Sequence, residues 1–125
     1  MKIKHHEDLE VFQQSFKAAD EIFVLTKSFP KEELYSLTDQ IRRSSRSVSA
    51  NISEAFRKRY YPKLFVSKLN ESEGEAAETQ VWIKFCIACN YIDPAKAREL
   101  LDSYDSIIRQ LITMRNHSDK WSIDH

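Results

Sequence analysis

One glycine, Gly74, and three prolines are nearly all the chain-bending residues in 125 positions. A sheet protein needs a turn signal about every 8–12 residues, most of them built on Gly, Pro, Asn or Asp. A chain so poor in turn chemistry is expected to be all-α, and the spacing of its apolar residues describes four long helices. Leu9, Phe12, Phe16, Ala19, Phe23 and Thr26 recur at intervals of three, four and seven. Val11, Ala18, Ile22, Leu25 and Phe29 form a second stripe beside them, which predicts a wide apolar face on a helix over about 7–28. Pro30 cannot continue that helix, because it lacks an N–H and disfavours a helical Phe29.

The same periodicity places a second helix over about 32–58, with Leu34, Leu37, Ile41, Ser44 or Ser45, Val48, Ile52 and Ala55 inward. A third spans about 63–90 through Phe65, Leu69, Ser72, Ala76, Thr79 or Gln80, Ile83 and Ile87. Asp93 is suited to cap a fourth over about 94–115, with Pro94 at its first position. A polar tail, 116–125, lacks periodicity, and Trp121 and Ile123 are its candidates for docking. Helices of similar length joined by short connections predict a single-domain antiparallel up-and-down four-helix bundle.

Nineteen basic residues balance nineteen acidic ones, so no global basic field attracts nucleic acid. No stretch approaches the roughly 18 apolar residues of a membrane span, and the first residues lack a signal-peptide core. The cytoplasm is the expected location, with no membrane partner. Cys86 and Cys89 form a C-x-x-C inside a predicted helix, without a second pair, and are expected to be reduced core thiols. His5, His6, His117 and His125 lack ligand spacing, and no Glu-x-x-His occurs, so a di-iron site is disfavoured even though Glu54 and Glu73 could lie near Asn51. No Gly-rich phosphate loop or paired nucleophile is present either. The expectation is a protein with no enzymatic activity, cofactor or metal.

The stretch QIRRSSRSVSANISEAFRKR, residues 40–59, holds six basic residues against one acid, Glu54. At 100° per residue, Arg42, Arg43, Arg46, Ala50, Ser53 and Arg57 share an arc of about 100°, nearly opposite the apolar stripe. Lys58 and Arg59 extend the basic run at its end. Such a stripe is commonly a solvated face. Here, however, arginines one turn apart repel, and the small Ser49, Ala50 and Ser53 leave room for a backbone or a phosphate. Glu71, Glu75 and Glu78 form an acidic stripe on the third helix. Two readings stay open: the arginines hold RNA or DNA phosphates, or they pair with that acidic stripe across a helix boundary or on a neighbouring subunit.

The words DLEVFQQSFKAADEIFVLTKSFPKEELYSLTDQIRRSS, SVSANISEA and EGEAAETQVWIKFCIACNYI resemble the four-helix-bundle family encoded in intervening sequences of bacterial 23S rRNA genes, the S23 family. The resemblance covers roughly 7–115. That family is similar in fold to the accessory protein of diversity-generating retroelements, which implies a homopentameric ring with a basic surface for nucleic acid. A reverse-transcriptase partner is implied only distantly. Carried over by position, the resemblance implies functional roles for Arg42 and Arg43, while Arg46 and Arg57 come from the helical arc. Asn51 and Glu54 belong to the family motif and are expected to cap or bridge helices, inside the bundle or at a subunit interface. This chain has Ala55 where the family usually has Gly, which suggests that a close contact there is filled.

Overall fold

The computed structural model describes residues 3–123. Four long helices make up the bundle: α1 (Glu10–Thr26), α2 (Leu37–Arg57), α3 (Pro62–Ala88) and α4 (Pro94–Asn116), followed by a short α5 (Ser118–Trp121). Consecutive helices pack side by side and α1 closes against α4, while the diagonal pairs do not meet. Two contacts along each pair fix the antiparallel sense, for α1 and α4 the Gln110–Gln14 bond at 2.7 Å together with the Glu21–Lys96 pair. Ser15 meets Ser49 and Thr26 meets Arg42 between α1 and α2. Glu54 pairs with Lys68 and Ser44 with Thr79 between α2 and α3. Glu73 binds Arg115 and Gln80 binds Asp105 between α3 and α4, and Glu21 binds Lys96 between α1 and α4.

Local chemistry explains the helix ends. Pro62 and Pro94 begin α3 and α4, where a missing N–H costs nothing, and the Asp93 side chain accepts from the Lys96 N–H at 3.2 Å. Asn90, with φ 60°, is the one non-glycine residue in the left-handed region among those described. Its N–H bonds the Ile87 carbonyl and the Tyr91 N–H bonds the Cys86 carbonyl, a Schellman closure of α3.

Three expectations are corrected. The second helix does not begin at 32: Lys31–Glu33 is a 3₁₀ turn, Ser36 leaves helical geometry (φ −126°, ψ −104°), and α2 starts at Leu37. Leu34 is consequently exposed. Likewise His6–Asp8 is a 3₁₀ turn and Leu9 is extended, so the first helix starts at Glu10 rather than at 7 and ends at Thr26. The cysteines are both free thiols but differ in setting: Cys86 is buried, its pKa raised to about 12 by burial, whereas Cys89 at the end of α3 is exposed.

Ile22, Val48, Ile52, Ala55, Leu69, Ala76, Ile83, Tyr104, Ile107 and Leu111 lie at the centre and are inaccessible to solvent. Ala55 fills the position where a glycine was noted to be usual. Small hydroxyl residues line the tight seams between helices. Ser15 and Ser49 bond each other at 2.8 Å, Ser72 donates to the Val48 carbonyl, and Thr79 donates to Ser44. These seam hydroxyls are thereby paired, and the helices approach closely at these points, whereas the buried Thr38 and Tyr104 hydroxyls have no partner. Trp121 packs on the core, its ring 6.4 Å from that of Phe65, so the tail does dock.

Candidate nucleic-acid interface

The arginines of α2 part into two groups. Arg42 and Arg46 point along the margin with α1, and Arg43 turns to the other flank. Arg42 donates through Nε to Thr26 Oγ1 at 2.8 Å and reaches the Phe23 carbonyl at 3.5 Å. Its guanidinium lies 4.7 Å from the centre of the Phe23 ring, with Arg46 at 5.1 Å and Lys27 at 4.9 Å. Three cations thus converge on one aromatic ring, whose π face attracts each of them. None of Lys27, Arg42, Arg46 or Arg57 forms an ion pair among the described residues.

Arg43, by contrast, pairs with Asp39 at 3.6 Å and lies near Glu75 of α3. Partial burial raises the Glu75 carboxyl, as does the neighbouring Glu78, while Arg43 pulls it down. Glu54 and Glu71 both bind Lys68 at 3.0 Å and raise its pKa. Glu78 accepts from the Trp82 indole N–H at 3.3 Å. The acidic stripe is therefore engaged within the chain. Glu54 bridges α2 to α3 as expected, but Asn51 donates to the Ser47 carbonyl of its own helix and bridges nothing. Glu73 is bound to Arg115 of α4.

A sequence model of the family described as 23S rRNA-intervening sequence protein matches residues 7–113. The chain belongs to this family. A crystal structure of a protein of unknown function from the S23 ribosomal protein family of Bacteroides thetaiotaomicron VPI-5482 is similar to it, with a TM-score of 0.76 and 30% sequence identity over 85% of this chain and 95% of that one. Among curated proteins none matches significantly.

In this member of the 23S rRNA-intervening sequence family, the remaining basic residues serve different ends. Arg59 donates to the Phe56 carbonyl at 2.8 Å and stacks 3.6 Å from the centre of the Phe56 ring, which closes the end of α2. Lys58 is half-buried, and Arg57 is exposed one turn beyond Ser53. Ser49, read from the sequence as room for a ligand, is instead buried against Ser15.

Two features of the α1 margin escaped the sequence reading. Phe12, Phe16 and Phe23 share an arc of about 40° on α1. They flank the buried stripe of Val11, Ser15, Ala18 and Ile22 rather than belonging to it, and Phe16 is 62% exposed. Lys27 joins the α2 arginines only through the fold. Where chain spacing showed no metal ligands, the fold brings ligand atoms of His5, His6 and Glu7 within 4.8 Å of one another. The His5 and His6 rings stack, and His6 Nδ1 lies 3.3 Å from Ser53 Oγ, which lays this turn against α2.

Proposed function

We propose that this chain is a non-enzymatic, cytoplasmic four-helix bundle that binds RNA or DNA backbone along the α1–α2 margin with little sequence preference. The observation that carries the reading is the convergence of Lys27, Arg42 and Arg46 on Phe23 without an ion-pair partner among the described residues. Like charges brought so close repel, and a phosphate relieves that repulsion while releasing condensed counterions. With Arg42 committed to Thr26, the cations free to meet phosphates are Lys27, Arg46 and Arg57. Three contacts to a single strand give a salt slope of about −2, hence roughly a fifteenfold loss of affinity between about 50 and 200 mM salt. Fluorescence anisotropy with a labelled generic RNA reads this directly. R46E with R57E should abolish binding, and absence of wild-type binding at both salt concentrations would sink the reading.

A second observation favours assembly of copies. Tyr35 is 91% exposed and Phe85 51% exposed, and together with Trp82 and Cys89 they line one cavity of about 440 Å³ between the 3₁₀ turn and α3. Glu75 and Glu78 lie on α3 beside this apolar face, opposite in charge to the α1–α2 margin. Head-to-tail packing of that face on the basic margin of another copy is the homo-oligomeric reading, and a heterologous contact of this kind forms a ring when the rotation between copies closes.

A further inference from the structure

The proposed backbone binding leaves open whether the strand is paired. The α1–α2 margin carries more than cations. Its rings follow one another, His5 and Phe16 exposed and His6 and Phe12 half-buried: His5 and His6 centroids are 4.4 Å apart, His6 and Phe12 4.8 Å, Phe12 and Phe16 6.1 Å. Phe16 stands between two cavities of about 350 Å³ each and lines both. One is bounded by Phe12, Gln13 and Glu7, the other by Phe23, Arg46 and Asp20. Their volumes fall at the lower end of the roughly 300–1,000 Å³ typical of small-ligand clefts.

Resting on the proposed backbone binding, we infer that this margin selects single-stranded nucleic acid by stacking a base on each side of Phe16. The arrangement of charge argues for bases rather than phosphates inside the cavities. Glu7 is the one charged residue lining the first cavity and repels a phosphate there, while Asp20 lines the second together with Arg46; either carboxylate accepts an N–H from the edge of a base. Arg46, at the mouth that the second cavity shares with the margin, meets a backbone tracking the groove, which about 16 Å further along α2 passes Arg57. Aromatic platforms beside a cationic track are how sequence-tolerant single-strand binders work. A duplex cannot use them, because its bases are already stacked on each other.

The test compares a labelled oligo-uridylate with an RNA duplex of equal length, by anisotropy at about 50 mM salt. The wild-type chain should favour the single strand by about tenfold, the lower part of what a base–aromatic stack supplies. F16A should erase that preference and leave duplex affinity within about twofold, and F16W should retain it. Phe16 is mostly exposed, so F16A should fold, and an unchanged thermal midpoint verifies this. Equal wild-type affinity for both probes overturns the stacking inference while sparing the backbone reading, as does an F16A variant with undiminished single-strand affinity. Binding to neither probe overturns both.

Discussion

Both carboxylate oxygens of Glu33 are occupied. Oε1 accepts from the Ser36 hydroxyl at 2.6 Å and from the Leu37 N–H at 3.5 Å, standing in for a side-chain cap on α2, and Oε2 accepts from the Tyr91 hydroxyl at 2.9 Å. The Ser36 and Tyr91 bonds lower the Glu33 pKa below its usual 4.5, and the bond to Glu33 pushes Tyr91 up to about 12. A depressed carboxyl pKa stabilises the fold above about 4.5, and that contribution is lost as acid protonates the folded carboxylate. For the raised phenol the contribution is complete below about 10 and lost as pH rises towards 12. Urea midpoints measured across pH should therefore fall at both extremes. E33Q should flatten the acid limb relative to wild type and lower the midpoint at neutral pH, whereas an identical pH profile would disprove the linkage. None of this was visible in the sequence, since Glu33 and Tyr91 are 58 positions apart and the intended α2 start lay upstream of Ser36. The phenylalanine stripe was hidden for a related reason. Apolar periodicity on α1 is wide enough to hold both a core and its flank, and only the Ser15–Ser49 seam decides which part turns inward.

At the scale of the elements, α4 was the helix read most closely from sequence, expected over about 94–115 and found at Pro94–Asn116, and α3, expected over about 63–90, was found at Pro62–Ala88. Pro62 and Asn90 mark its two ends by chemistry that acts locally, so its limits needed no tertiary knowledge. The α2 start did, because a 3₁₀ turn and a first helical turn carry the same apolar spacing. Gly74 lies inside α3, exposed, and a Cβ added there meets nothing within 4 Å. In a helix interior glycine loses more backbone entropy than alanine on folding and has no side chain to offset it. G74A should raise stability by about 0.5–1 kcal/mol, measured by urea denaturation at unchanged slope. A destabilised G74A would mean that another surface packs closely on α3 at this point, which light scattering of the two proteins would reveal as a difference in mass.

For the whole molecule, the up-and-down topology was legible because four helices of matched length and short connections admit few other arrangements. Its charge map was not, because formal neutrality concealed a division of the surface that appears only once helices are placed. Arg43, Glu54, Glu71 and Lys68 balance one another between α2 and α3, whereas Lys27, Arg46 and Arg57 remain without ion partners among the described residues on the α1 side. That division lets the two proposed roles be separated by mutation. If copies assemble through the apolar face, F85E puts a buried, unpaired carboxylate into the contact, on the same helix as Glu75 and Glu78, and should reduce the particle to single chains. R46E tests the opposite surface. A particle that survives R46E but loses RNA marks the basic margin as a binding face. A particle that falls apart with R46E and with F85E alike marks the two surfaces as the halves of one head-to-tail contact, which leaves the margin covered and closed to a strand. Wild-type mass equal to a single chain would remove the assembly reading and leave the margin wholly available to nucleic acid.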